Sequence, residues 1–182
     1  MTYLESQKRV MTLLKNVESV LPLQERTKIF VKNISPTVAA QYGQVVSDPA
    51  DADVAILRLE TPWYPVHSPN MFARGFHHGD LDFKGEAKAE ILALLNRVPT
   101  IVVLYLDRPA VIPEISAAAK GLLVDYGATD AAVLDVVFGK AKPEGKLPVE
   151  LPSSMEAVRN QKADLPYDSE NPLYRFGYGL SY

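Results

Sequence analysis

Residues 100–106, TIVVLYL, form an uninterrupted apolar run that constrains the fold more than any other stretch of the chain. A strand that is apolar at every position must be buried on both faces, which is typical of the centre of a parallel sheet covered by helices. KIFVKN at 28–33, DVAILRL at 53–59 and GLLVDY at 121–126 have similar β-branched or apolar character. The sequence therefore predicts four strands.

Helical patterns alternate with these strands. EAKAEILALLNRV at 86–98 combines strong helix formers with apolar residues on one side. PEISAAA at 113–119 and TDAAVLDVVFG at 129–139 also predict helices, the second capped by Thr129 and ended by Gly139. The alternation predicts an α/β fold, a three-layer α/β/α sandwich around a mostly parallel sheet.

The two ends of the chain differ from this pattern. YLESQKRVMTLL at 3–14 has apolar residues near helical spacing and predicts an opening amphipathic helix. Residues 142–152 and 164–182 are dense in Pro, Gly and Tyr without periodicity, so we expect extended segments that wrap the body. A length of 182 residues favours one domain over 1–182.

Charge and composition exclude several classes of function. The net charge is −3 and the basic residues are scattered, so we expect no nucleic acid partner. No apolar run approaches the roughly 18–20 residues that span a bilayer, and we expect no membrane association. The first residues lack the apolar segment of a secretory signal and the chain has no cysteine, which favours the cytoplasm. No phosphate-binding glycine motif precedes a helix, so we expect no cofactor.

The stretch 61–84 is the candidate functional site. It contains the only tryptophan and all three histidines of the chain, and it follows the predicted strand 53–59 at the end where open α/β sheets bind ligands. Connections this long are usually functional or disordered, and the aromatic content argues against disorder. We expect this loop to be partly exposed, leaving an apolar patch that drives self-association.

Each candidate residue has a functional and a structural interpretation. Glu60, beside aromatic rings, is a candidate general acid, or else a strand-end carboxylate that faces water or pairs with Arg58 or Arg74. Trp63 and Tyr64 either stack on sugar rings or fill the base of the loop as core side chains.

A metal site is not predicted. Histidine and carboxylate side chains cluster in the stretch, but no ligand spacing of a zinc motif is present, and loop packing is the favoured interpretation. The side chains concerned are His67, His77, His78, Asp80 and Asp82.

Several segments, in the same order along the chain, resemble glycoside hydrolase family 3, which includes β-glucosidases and β-xylosidases. The clearest are GKLP at 145–148 and YRFGYGLSY at 174–182, similar to the family's closing signature. The other matching segments are LLKN at 13–16, VLPL at 20–23, DRP at 107–109 and AAVLDVVFG at 131–139.

The resemblance implies the C-terminal α/β sandwich of a retaining exo-acting β-glycosidase, whose N-terminal barrel, absent here, carries the nucleophilic aspartate. It implies Glu60 as acid/base, because LETPWY at 59–64 with Gly79-Asp80 further on is similar to the family's acid/base segment. It also implies Trp63 and Tyr64 as a stacking platform.

Under the same resemblance His77, His78 and Asp80 contact sugar hydroxyls. We expect the isolated chain to be inactive and its partners to be a carbohydrate substrate and the barrel, with a possible homo-oligomer. The alternative is a non-catalytic carbohydrate-binding or oligomerisation module of the same fold.

Overall fold

A six-stranded sheet forms the centre of the protein in the computed structural model, which describes residues 2–182. A separate two-stranded ladder lies within the stretch 61–84. The eight strands in chain order are β1 (Thr12–Asn16), β2 (Lys28–Lys32), β3 (Gln44–Val45), β4 (Val54–Glu60), β5 (Tyr64–Pro65), β6 (His77–His78), β7 (Thr100–Tyr105) and β8 (Gly121–Asp125). The large sheet has the order β1-β8-β7-β4-β2-β3, so the predicted strongest strand, β7, is central.

The sheet is parallel except at β1, which pairs antiparallel with β8. Consecutive residues of the central strands enter two different hydrophobic clusters: Ile56 and Val103 face one side, and Leu57 and Val102 face the other. Burial on both faces explains the continuous apolar runs.

Helices cover both faces, which confirms the predicted three-layer sandwich. They are α1 (Tyr3–Val10), α2 (Pro36–Ala39), α3 (Gly85–Arg97), α4 (Pro113–Ala118), α5 (Asp130–Val137) and α6 (Met155–Asn160). Residues of α2 and α5 enter one hydrophobic cluster and residues of α3 and α4 enter the other, while α1 lies against α5. None of the helices within residues 2–182 is long and apolar enough to cross a bilayer.

Local signals placed the ends of α5 correctly. The hydroxyl of Thr129 accepts a hydrogen bond from the backbone N–H of Ala132, as predicted for an N-cap. Gly139 follows the helix with φ +71°, a backbone conformation that glycine adopts without strain.

The prediction of a helix over residues 3–14 is wrong beyond Val10. Residues 11–14 are all buried, and Leu13 and Leu14 enter opposite hydrophobic clusters, as successive residues of a strand do. The spacing of the apolar residues fits a helix as well as a strand. Pairing of Thr12 with Val124 on β8 decides for the strand.

The C-terminal segments wrap the body, as predicted, and are held by backbone hydrogen bonds to each other and to β1. Leu147 N donates to Tyr178 O at 2.9 Å, and Leu180 N donates to Leu13 O on β1 at 2.7 Å. Apart from β1 and the short strands inside 61–84, three short elements were not predicted: α2, β3 and α6. Each has six residues or fewer, too few for a periodic pattern to be recognised.

Candidate functional site

The carboxyl ends of the central parallel strands bring polar side chains to one edge of the sheet. Glu60 is the last residue of β4 and pairs with Tyr105, the last residue of β7. Asp107 and Arg108 follow β7 after one residue, Leu106, and Asp125 ends β8. Ligands of open α/β sheets bind at this edge.

The carboxyl of Glu60 is exposed and accepts a hydrogen bond from the indole N–H of Trp63, with Nε1 to Oε1 at 3.1 Å. No Lys or Arg nitrogen lies within 4.0 Å of this carboxyl among residues 2–182. Arg58 instead pairs with two aspartates, and Arg74 donates to the carbonyl of Ser68. The interpretation of Glu60 as the partner of either arginine is therefore wrong.

Trp63 stacks on the imidazole of His77, with ring centroids 3.8 Å apart and planes inclined by 6°. One face of the indole is thereby covered, and at most the other is left for a ligand. Trp63 is 38% exposed and Tyr64 is 58% exposed. The interpretation of these rings as core side chains is wrong.

The stretch 61–84 is called the site loop below. The polar residues near its C-terminal end already have partners within the protein. His77 Nδ1 lies 2.5 Å from Asp107 Oδ2, and Nε2 of His78 donates to Pro65 O at 3.1 Å. The side chain of Asp80 forms ion pairs with Lys84 and, at 3.5 Å, with Arg159. The hydrogen bond from Lys84 holds the pKa of Asp80 below its usual value, so this carboxyl is ionised near neutral pH.

The site loop has more regular structure than its sequence indicates. Tyr64 and Pro65 pair antiparallel with His78 and His77, which closes the base of the loop as a short ladder. Its outer part carries exposed apolar side chains: Met71, Phe72 and Phe76. The predicted exposure of an apolar patch is confirmed.

No group of three or more His, Asp or Glu side chains within residues 2–182 has the geometry of a metal site. A cavity of about 270 Å³ lies beside Glu60 and is lined by residues such as Asn33, Leu59 and Phe83. Typical small-molecule sites occupy roughly 300–1,000 Å³. The cavity is smaller than this range, so the residues at this edge are better suited to form one wall of a larger binding site than a complete pocket.

Sequence reasoning missed Tyr105, Asp107 and Arg108 as members of the site. Burial, and then the negative charges of Asp107, Glu60 and Asp125, raise the pKa of Tyr105, so its phenol keeps its proton. The available signal was their position: they end or follow the parallel strand next to β4, and the carboxyl ends of such strands share one edge.

Gly79 fixes the packing at the base of the site loop and provides a testable prediction. Its φ is +100°, and a Cβ atom here would lie 2.3 Å from Cδ2 of Tyr64. We expect Gly79→Ala to displace the Tyr64 ring and change the near-ultraviolet circular dichroism of the chain. Gly75→Ala is the matched control, because a Cβ there meets no atom within 4 Å. Equal spectra for the two variants would contradict this packing.

Residues 33–182 match the model of the glycosyl hydrolase family 3 C-terminal domain. The chain belongs to this family. This family 3 domain is 44% identical over 182 residues to the probable beta-glucosidase C of Aspergillus flavus, covering 98% of the chain and 28% of that relative. It is 37% identical over 179 residues to the periplasmic beta-glucosidase/beta-xylosidase of Dickeya chrysanthemi, covering 97% of the chain and 27% of that relative.

The fold comparison agrees with the family assignment. The structure of the beta-glucosidase D2-BGL from Chaetomella raphigera superposes with a TM-score of 0.75 at 17% identity, covering 98% of this chain and 36% of that one. The family 3 domain therefore spans about a third or less of the length of these proteins, which contain further sequence outside the matched part.

Proposed function

We propose that this family 3 domain is the C-terminal part of a retaining, exo-acting β-glycosidase and supplies its acid/base, Glu60. One observation carries the proposal: the carboxyl of Glu60 is presented, exposed and without a cation partner, at the ligand-binding edge of the sheet. The family and the names of the relatives support O-glycosidic bonds of β-glucosides or β-xylosides as the substrate class.

The contact between Trp63 and Glu60 suits proton transfer. The indole N–H is only a donor, so it engages an unprotonated oxygen, Oε1, and leaves Oε2 to carry the proton. In a retaining mechanism Glu60 protonates the leaving oxygen while a nucleophilic carboxylate attacks the anomeric carbon, and then accepts a proton from the water that hydrolyses the glycosyl-enzyme.

The nucleophile is expected from a barrel domain in the longer protein. Retaining enzymes hold their two carboxyl groups about 5–5.5 Å apart, so the barrel must approach the edge that carries Glu60. The exposed apolar side chains of the site loop, Met71, Phe72 and Phe76, are suited to contact with such a domain. Without it, we expect this patch to mediate self-association, which sedimentation velocity of the isolated chain measures.

The remaining site residues have subordinate roles in this proposal. The uncovered faces of Trp63 and Tyr64 stack on a sugar ring. His77, His78 and Asp80 border the same surface as polar contacts to hydroxyl groups. The cytoplasm is the compartment predicted from the chain alone, whereas one relative is named periplasmic, and fractionation of cells that express the longer protein distinguishes the two.

Hydrolysis of aryl β-glucosides and β-xylosides tests the function. We expect the longer protein that contains this domain to cleave them and the isolated 182-residue chain to release no product above background. Binding of the sugar by the longer protein without cleavage would favour the non-catalytic carbohydrate-binding module. If the isolated chain cleaved these substrates as fast as the longer protein, the acid/base and the nucleophile could not be divided between two domains, and the proposal would be refuted.

A further inference from the structure

The guanidinium of Arg108 lies between the two ends of the site loop. Its Nη2 donates to the carbonyl oxygens of Pro62 at 2.6 Å, Gly79 at 2.9 Å and Asp80 at 2.9 Å, and Nη1 donates to His77 O at 3.4 Å. One side chain thus links the segment that leaves the large sheet after β4 to the segment that follows β6.

The neighbouring residue, Asp107, begins a series of contacts that ends at Glu60. Asp107 Oδ2 lies 2.5 Å from His77 Nδ1, and the His77 ring stacks on Trp63 at 3.8 Å between centroids. The indole N–H of Trp63 then donates to Glu60 at 3.1 Å. Each member of the series limits the orientation of the next.

Both residues follow β7, whose backbone is a rigid support. β7 pairs with β4 in parallel over six residues, and Tyr105 is in register with Glu60. Thr61 adds a further link, because its hydroxyl donates to Arg108 O at 3.0 Å. Side chains held close to the end of a central strand position a site more accurately than side chains in the middle of a long loop do.

Apolar packing does not replace these polar contacts. Trp63, Tyr64, Met71, Phe72 and Phe76 are all exposed, so the loop between residues 62 and 80 buries little of the apolar area that usually orders a long connection. The order of the site loop at its base therefore depends on polar contacts: the short β5–β6 ladder, the contacts of Asp107 and Arg108, the ion pairs of Asp80, and the backbone hydrogen bonds of Thr61 and Leu81 to neighbouring segments.

We propose that Asp107 and Arg108 are positioning residues: Arg108 closes the base of the site loop and Asp107 orients Glu60 through His77 and Trp63. This inference rests on the proposed function, since it assigns their role toward the acid/base.

Fluorescence of the isolated chain tests the structural half of the proposal, because Trp63 is its only tryptophan. We expect Arg108→Lys and Asp107→Ala to raise acrylamide quenching of Trp63 toward the value of the urea-unfolded chain. Lysine keeps the charge but cannot span several carbonyl groups with a planar fork. Arg74→Lys is the matched control, because Arg74 donates only to Ser68 O and Pro69 O inside the loop. Unchanged quenching in both variants, or an equal rise in the control, would overturn the proposal.

Kinetics of the longer protein test the catalytic half. We expect Arg108→Lys and Asp107→Ala to lower kcat/KM by about 10- to 100-fold for phenyl glycosides, the size of effect that misplacement by about 1 Å produces. The loss for 2,4-dinitrophenyl glycosides should be much smaller, since that leaving group needs little protonation. A merely structural defect lowers both rates equally, and that result would overturn the assignment.

Glu60→Ala in the same series separates the two proposals. If Glu60→Ala shows the leaving-group dependence and the Asp107 and Arg108 variants do not, the positioning role is wrong while the acid/base stands. If Glu60→Ala itself shows none, the proposed acid/base fails first. In the Glu60→Ala background we expect Arg108→Lys to add no further leaving-group dependence, because a positioning residue acts through the group that it positions.

Discussion

Glu60→Ala in the longer protein is expected to lower kcat/KM for phenyl β-glycosides by about 10²–10⁴-fold, the usual contribution of general acid catalysis. The leaving phenoxide then departs without a proton, which is unfavourable. Substrates with a 2,4-dinitrophenyl leaving group should lose much less, because that anion is stable. Steady-state rates across a series of aryl glycosides give the dependence on leaving-group pKa, which should become steeper in the variant.

Added azide provides a second measurement on the same variant. A small anion that enters the space of the missing carboxylate needs no base to attack the glycosyl-enzyme, so we expect azide to restore turnover of the dinitrophenyl substrate and to yield the glycosyl azide.

Glu25→Ala is the matched control for Glu60→Ala. Glu25 is an exposed glutamate that precedes β2, at the opposite edge of the parallel sheet from Glu60. Its replacement should change neither the leaving-group dependence nor the response to azide. If Glu60→Ala matches this control, another carboxyl group is the acid/base and the assignment of Glu60 is refuted.

Arg58→Ala is expected to reduce the free energy of unfolding of the domain by about 3–5 kcal/mol, as removal of one member of a buried ion pair does. Arg58 Nη2 lies 3.0 Å from Asp125 Oδ1, Nη1 lies 2.9 Å from Asp130 Oδ1, and Nη2 also donates to Ala128 O at 2.6 Å. The Asp125 side chain is fully buried, so the substitution leaves a carboxylate without its cation inside the protein.

Arg97→Ala is the control for the Arg58 prediction. Arg97 also forms an ion pair, with Asp48 at 2.7 Å, but both side chains are 53% exposed. Such surface pairs contribute roughly 0–1 kcal/mol. Urea unfolding of both variants and the parent chain gives the two differences in free energy. Similar values would show that Arg58 contributes no more than a surface charge.

The sheet edge also illustrates why the sequence suggested a pairing of Glu60 with an arginine that the structure does not contain. Arg58 lies two residues before Glu60 and is an obvious partner by proximity. Residues two apart in a strand point to the same face, so Arg58 and Glu60 lie on one side of β4. Arg58 nevertheless forms its ion pairs with Asp125 on β8, which is separated from β4 by β7, and with Asp130 at the start of α5. The partner of a charged side chain is therefore set by distant residues that the fold brings together.

The sequence by itself determined the layers of this protein. Fully apolar runs such as 100–106 demand burial on both faces, the helical pattern of 86–98 supplies a covering layer, and the hydroxyl of Thr129 caps α5 by accepting a hydrogen bond from Ala132 N. It also indicated the candidate site loop, because aromatic residues and histidines follow a buried strand. These signals are local, because each depends only on residues within one or two helical turns or within a single strand.

Only the tertiary structure decided which residues complete the site and where the chain's first strand lies. Residues 12–16 form strand β1 through pairing with β8, more than a hundred residues later in the chain. Asp107 and Arg108 contact the site loop because β7 and β4 pair in parallel, which places the carboxyl ends of these two strands side by side. The physical reason is that hydrogen bonds and ion pairs between distant segments depend on strand order and register, which periodicity within one segment does not specify.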